Sequence, residues 1–360
     1  MSLILVQRSL TIQSLCCAMA RRRRTGMQRE GKPRTMSDST VDRRSFCAAA
    51  GALMAVMATP GCALAASAPA AAPGPAVGIN PVIGRMRRHI AVKNDTLIDL
   101  ARQYNLGFTE LVATNRGVDP WIPGEGTEII LPGEHVLPDG PREGLVLNIS
   151  DQRIYYFPRG GGATESYPVG TGRDAWGTPR GKTAIVRKKF LPSWYPPKSI
   201  RKEDPTLPAV VRPGPDNPLG RHAMYLGWSG YLIHGTNRPY GVGRRVSHGC
   251  VRLYPEDIAQ LFPRIKIGLP VAVVAQEAKI GRRDGELVLE IHPNPVQSDE
   301  LEAGDPMTPA KIAELAYKVT AAAGEHAHRI DWDAVHRAEA ERAGVPVPIL
   351  KPGEAASSEG

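Results

Sequence analysis

From residue 89 onward the spacing of apolar positions changes several times, and each change predicts an element. His89 to Val92 alternates as a short strand. Leu97, Leu100, Ala101 and Tyr104 recur at helical spacing behind Asp95 or Thr96, either of which can cap the helix. Phe108 to Asn115 predicts a second helix with Leu111 and Val112 inward. Ile129 to Leu131 predicts a closing strand, so residues 89–132 read βααβ. Between residues 143 and 275 the apolar runs are short and β-like. Leu145–Ile149 and Arg153–Phe157 flank a Ser150-Asp151-Gln152 turn and predict a hairpin. Glu165–Val169, Lys182–Lys188, Ala223–Leu226 and Tyr231–His234 predict further strands, Asp257–Phe262 a short helix, and Val271–Ala275 a last strand. Short strands broken by Gly/Pro turns predict a mainly β, sandwich-like or barrel-like domain. Residues 276–360 read as a C-terminal extension. Glu286–Ile291 is strand-like, Thr308-Pro309 opens a helix running to Ala323 and stopped by Gly324, and Asp331 caps another that ends at Gly344. The pattern assigns this extension no chemistry.

Composition narrows the picture. A chain of 360 residues holds two modest domains or one large one, and 37 Gly with 33 Pro favour loops and β structure over helix bundles. The formal net charge of +9 raises nucleic acid as a partner. Its distribution argues against that. Residues 1–65 carry ten Lys/Arg and three acids, which leaves 35 basic against 33 acidic residues in the remainder. No polyanion footprint survives removal of the first 65 residues.

Those residues read as a leader. Asp42-Arg43-Arg44-Ser45-Phe46 precedes a small-residue apolar run that ends in Ala63-Leu64-Ala65, an A-x-A cleavage site. The paired arginines before Ser-Phe resemble a twin-arginine export signal, which places the mature protein in the periplasm. A membrane anchor is the alternative, and Thr59 and Pro60 make a poor lipobox for Cys62. Translation from Met27 or Met36 fits this leader better than translation from Met1. Residues 66–87, rich in Ala, Pro and Gly, read as a linker.

Cleavage after Ala65 removes Cys16, Cys17, Cys47 and Cys62 and leaves Cys250 alone. An unpaired thiol in an oxidising compartment is a liability unless it packs as a small hydrophobe or reacts. The flanking Ser247-His248-Gly249 is not core-like. A thiol attacks only as thiolate and needs a base or a positive environment. His234, at the end of a predicted strand, and His248, two residues before the cysteine, are the candidate bases. Gly249 allows tight curvature that aims amides at an oxyanion, and Arg244, Arg245 and Arg252 supply positive charge. A metal site from His222, His234, His248 and Cys250 is the competing reading, but the spacings match no structural zinc pattern.

The stretch HGTNRPYGVGRRVSHGCVRL resembles the signature of the L,D-transpeptidases, the YkuD catalytic domain, and the resemblance spans roughly residues 143–275. It includes Gly177-Thr178-Pro179 and the segment from Pro208 to Gly220. The βααβ stretch, over residues 88–133, resembles a LysM domain that binds peptidoglycan glycans. Its V-x-x-D-T-L opening, A-x-x-Y-x-L helix end and I-I-L-P exit carry the match. Order and spacing together resemble the ErfK/YbiS type. The resemblance implies a β-sandwich-like catalytic domain that needs no cofactor or metal. It implies that Cys250 attacks the diaminopimelate carbonyl of a tetrapeptide stem, releases D-alanine and passes the acyl group to an amine. That amine belongs to another stem, giving a 3→3 crosslink, or to a lysine of an outer-membrane lipoprotein or β-barrel. An L,D-carboxypeptidase using the same thioester is the alternative. His234 matches the general base, oriented by the Gly235 carbonyl. His248, Gly249 and Cys250 match the oxyanion loop, and Ser247 and Arg252 match positions that support the loop and the substrate. The ErfK/YbiS type often carries a second serine where this chain has His248, so the acceptor does not follow from that subgroup.

Overall fold

The computed structural model describes residues 79–173 and 176–352; the leader and most of the expected linker lie outside them. An eight-stranded sheet dominates. Its order is Val251–Arg252, Leu232–His234, His222–Leu226, Gly181–Phe190, Pro270–Val274, Gly144–Asn148, Arg153–Phe157 and Glu165–Pro168. Two neighbouring pairs are parallel, Leu232–His234 with Val251–Arg252 and Pro270–Val274 with Gly144–Asn148. The hairpin strands do not alternate apolar with polar because both faces are covered. Leu145, Leu147, Ile154 and Tyr156 join the main core, whereas Val146, Tyr155 and Phe157 pack on the opposite side with Leu137 and Ala272.

The expected sandwich is one sheet that curls. Gly170, two residues beyond one edge strand, exchanges backbone hydrogen bonds of 2.9 Å each way with Arg252 in the other edge strand. The edges therefore meet, and the main core fills the enclosed side. Ile258 and Leu261 of the helix Pro255–Leu261 plug it from one end. Pairing the edges also removes the open ladder that an exposed edge would present.

Residues 87–131 form the predicted βααβ order: strand Arg87–Ile90, helices Leu97–Gln103 and Phe108–Thr114, strand Glu128–Leu131. The two strands pair antiparallel. Thr96 is the N-cap, its hydroxyl accepting from the Asp99 amide at 3.1 Å. Asp95 instead accepts from the Val92 amide and lies 2.7 Å from His89, which holds its carboxyl below the ordinary range.

A second sheet corrects the linker and appendage expectations. Asn80–Gly84, within the stretch expected as linker, is a strand. It pairs parallel with Ala278–Arg283 of the C-terminal extension and antiparallel with Glu134–Val136. Glu286–Ile291 and Val347–Pro348 complete five strands. The extension also holds a helix the periodicity did not predict, Pro295–Ala303, capped by Asn294. The helix expected from Thr308 begins only at Leu315.

The three parts meet in a buried polar junction. Glu110 of the βααβ unit pairs with Arg153 of the main sheet at 2.8 Å, both side chains nearly solvent-free. Lys279 of the extension, fully buried, donates to Asp151 (2.8 Å), Tyr155 (3.1 Å) and Glu290 (2.7 Å). The turn at Asp151 and Gln152 is buried because it inserts into that junction. Removing one partner from such a pair costs about 3–5 kcal/mol, since it strands a charge without solvent.

Candidate active site

Cys250 is the one free cysteine among the described residues, and it is partly exposed. It lies just before the edge strand Val251–Arg252. That strand runs parallel to Leu232–His234 with Ile233 opposite Val251 and His234 opposite Arg252. Continuing the register sets Cys250 beside Leu232. Side chains alternate faces along a strand, so Cys250, Arg252, Leu232 and His234 all share one face. The strand that carries the base thus lies against the strand that comes after the thiol.

His234 is buried, and its Nδ1 hydrogen-bonds the Gly235 carbonyl. A carbonyl only accepts, so Nδ1 carries the proton and neutral Nε2 keeps its lone pair. Burial, then the Arg252 guanidinium, push the imidazole pKa down to about 3. Burial likewise pushes the Cys250 thiol up, partly offset by a backbone hydrogen bond from Leu232 and by Arg252. The resting pair is therefore neutral thiol and neutral imidazole. The thiol lies 3.6 Å from the Gly230 carbonyl.

The loop before the cysteine is shaped from within. Ser247 is buried; its hydroxyl donates to the Cys250 carbonyl (2.6 Å) and accepts from the Gly249 amide (3.1 Å). Ser247 therefore supports the loop from within, with its single donor committed to the Cys250 carbonyl. The Gly249 amide is engaged by that hydroxyl. The Cys250 amide has no hydrogen-bond partner among the described residues. Gly249 sits at φ +95°, and a Cβ there would meet Tyr231 Cε1 at 2.7 Å. Only glycine fits both the conformation and the space.

His248 turns away from the thiol. Its Nε2 lies 3.0 Å from Glu203 and 2.9 Å from Arg173, and its ring packs near Trp176. Glu203 belongs to the helix Lys198–Glu203 in the excursion between strands Gly181–Phe190 and His222–Leu226. Hydrogen bonds from His248 and then Arg173 hold its carboxyl below the ordinary range. The His248 side chain thus contacts the excursion, which leaves His234 as the candidate base. The four candidate metal ligands do not assemble: His222 is sandwiched between Phe190 and Phe262. Among the described residues only Asp151, Glu290 and His292 bring ligand atoms together, and the Lys279 ammonium already pairs with both carboxylates.

Two cavities flank the cysteine. One, of about 670 Å³, contains Cys250, Arg187, Lys189, Tyr225 and Tyr231. The other, of about 480 Å³, contains Arg252, Arg238, Glu203, Asp204 and Asp216. Trp194, Ile200 and His248 line both. Arg252 forms no ion pair among the described residues, and burial lowers its pKa. The sequence reading missed Trp194 and Glu203, because the excursion that carries them has no regular period, and Arg187 and Lys189, which it read only as strand positions. Asn217 had a signal in the segment from Pro208 to Gly220; its buried amide donates to the Pro192, Val211 and Arg212 carbonyls and closes the base of that excursion. Thr178 had a signal in Gly177-Thr178-Pro179. Its hydroxyl donates to the Gly249 carbonyl at 3.0 Å and fastens the loop from outside.

A buried neutral imidazole on the same sheet face as a cysteine, which follows a loop glycine that admits no side chain, fits an acyl-transfer site. The family model of the L,D-transpeptidase catalytic domain, YkuD, matches residues 142–273. The probable L,D-transpeptidase YcfS of Escherichia coli (strain K12) is 35% identical over 281 residues, covering 75% of this chain and 85% of that protein. The probable L,D-transpeptidase ErfK/SrfK of Salmonella typhimurium (strain LT2) is 36% identical over 260 residues, covering 70% of this chain and 82% of that protein. The NMR structure of the catalytic domain from the E. faecium L,D-transpeptidase aligns at 22% identity with a TM-score of 0.30, over 38% of this chain and 99% of that one. The chain belongs to the L,D-transpeptidase family.

Proposed function

We propose that this transpeptidase takes a peptidoglycan tetrapeptide stem as donor and transfers its acyl group to an amine, with Cys250 as nucleophile and His234 as base. The placement of Cys250 and a buried His234, locked by the Gly235 carbonyl, on one face of adjacent parallel strands is the observation that carries the reading. The thiol proton passes to Nε2 as sulfur attacks the diaminopimelate carbonyl. Catalytic hydrogen bonds of this kind are often long before substrate arrives and tighten in the complex. The C–N bond to D-alanine breaks, the imidazolium returns its proton to the leaving amine, and a thioester remains. The acceptor amine then attacks the thioester, loses its proton to His234 and restores the thiol. No nucleotide enters, because the energy of the D-alanyl amide is kept in the thioester.

The two cavities support transfer over hydrolysis. The cavity with Cys250 carries Arg187 and Lys189, which suit the carboxylates of a donor stem. The other mixes Glu203, Asp204 and Asp216 with Arg238 and Arg252, which suits a zwitterionic acceptor end such as a second diaminopimelate, or a protein lysine. The βααβ unit is read as a LysM-type glycan-binding module. Its exposed Trp121 and Ile122 offer a surface for sugar rings. The twin-arginine-like leader places the reaction in the periplasm.

Intact-mass spectrometry tests this. The purified protein is mixed with a disaccharide-tetrapeptide, and in parallel with a carbapenem, beside Cys250→Ala. An adduct on the wild type and none on the variant supports the thioester. Products carrying the acceptor amine establish transfer, and tripeptide alone establishes the carboxypeptidase. No adduct on the wild type overturns the proposal.

A further inference from the structure

The three parts of the molecule touch one short segment, Gly243 to Arg245, immediately upstream of the catalytic loop. From the C-terminal extension, Glu302 at the end of the helix Pro295–Ala303 reaches it with both carboxylate oxygens. Oε2 accepts from Arg244 Nε at 2.9 Å, and Oε1 accepts from the Arg245 amide at 3.4 Å. One turn earlier on the same helix, Asp299 accepts from Arg245 Nη1 at 2.9 Å. From the βααβ unit, the Thr109 amide donates to the Gly243 carbonyl (3.0 Å), and the Thr109 hydroxyl donates to Glu302 itself (3.2 Å). The approach is tight: Gly243 has φ +71°, and a Cβ on it would lie 2.2 Å from Gly107 Cα.

This segment leads directly into the reaction loop. The Arg244 carbonyl accepts from the Thr171 amide, and Arg245–Ser247 then runs as a strand beside Thr171–Gly172. Ser247 in turn holds both the Gly249 amide and the Cys250 carbonyl. Two links therefore separate the Glu302 carboxylate from the backbone of Cys250. The first is its grip on Arg244 and Arg245, and the second is the strand that ends in Ser247. Glu302 is nearly buried, at 12% side-chain exposure, so its hydrogen bonds are little contested by water.

We infer that Glu302 is a positioning residue for thioester formation, and that the extension of residues 276–360 is a brace for the catalytic loop. The inference rests on the acyl-transfer reading of Cys250. Glu302 acts without touching substrate. It fixes where the loop begins, and so fixes the direction in which the Cys250 amide and thiol face the carbonyl. Misplacement of a reacting group by a fraction of an ångström to one ångström lowers rate by tens- to a hundredfold, while leaving binding intact.

The test uses two reagents on the intact protein. A carbapenem must be attacked at its carbonyl, so it reads the alignment of thiol, base and oxyanion donors. Iodoacetamide needs only an accessible sulfur, which displaces iodide. Glu302→Gln preserves shape and one carbonyl acceptor while removing the charge that grips Arg244. It is expected to slow carbapenem acylation about tenfold, with the half-saturating concentration, the melting temperature and the alkylation rate unchanged. Arg244→Met is expected to give the same loss, and the double variant no more than either single one, because both sit in one link. Acylation of Glu302→Gln at the wild-type rate overturns the inference. So does a loss that appears equally in alkylation or accompanies a lowered melting temperature, since that marks a general structural role. Alkylation without any acylation of the wild type overturns instead the acyl-transfer reading itself.

Discussion

His234 stands opposite Arg252 across two parallel strands, and that register puts the base and the thiol of Cys250 on one face of the sheet. Arg252 also shares that face. Its guanidinium adds to burial in depressing the imidazole and only partly offsets the burial that raises the thiol, so the pair stays neutral at rest.

The pH dependence of acylation is a direct consequence. An ordinary histidine base loses activity as pH falls through about 6.5. His234, with its pKa near 3, keeps its lone pair throughout that range. The rate of carbapenem acylation is expected to show no falling limb near pH 6.5, and stopped-flow measurement from neutral to mildly acid pH checks it. His234→Gln is expected to lose about a hundredfold or more.

Stability has its own pH signature. The folded imidazole has a pKa of about 3 against an ordinary value of 6.5, so between those values the unfolded chain binds a proton that the folded one does not. Stability is full above the unfolded value and falls as pH drops below it, by about 1.4 kcal/mol per pH unit. Melting curves of the wild type and His234→Gln are expected to converge as pH falls from neutral toward 4, because the variant lacks this contribution.

Gly249→Ala is expected to abolish acylation. The φ of +95° and the 2.7 Å approach to Tyr231 force the loop to move. The carbapenem adduct in mass spectra reads the outcome. A variant that acylates normally shows that the loop tolerates displacement.

The junction pair makes a stability prediction remote from the chemistry. Glu110→Ala leaves Arg153 buried without its carboxylate and is expected to cost about 3–5 kcal/mol in denaturant unfolding. The double variant Glu110→Ala/Arg153→Met is expected to recover part of that loss, because the stranded charge is gone.

Much of the local architecture was legible in the chain. The βααβ order, the hairpin around Asp151 and the strand ending at His234 all follow from period and turn residues, because these depend on neighbours a few positions apart. Cys250 and His234 were legible because a nucleophile and its base need particular residue types beside glycine. The parts missed depend on distance. The Asn80–Gly84 strand lies in an Ala/Pro/Gly-rich stretch, and only its distant partners make it a strand: Glu134–Val136 on one side and Ala278–Arg283, nearly two hundred residues away, on the other. Asp151 reads as a turn residue until Lys279 arrives from the extension to bury it.

The sequence by itself determined the reacting residue types, their order along the chain and the elements that carry them. Only the tertiary structure decided their roles. Ser247 and His248 are both polar and both adjoin Cys250, yet one hydroxyl is turned inward to brace the loop and one imidazole is turned outward to Glu203 and Arg173. Glu302 has no local signal at all. Its meaning comes from the curled sheet, the docked βααβ unit and the extension, which bring three distant segments onto Gly243 to Arg245. Spacing along a chain encodes helices and strands, but the direction of a side chain and its burial depend on what packs against it from elsewhere.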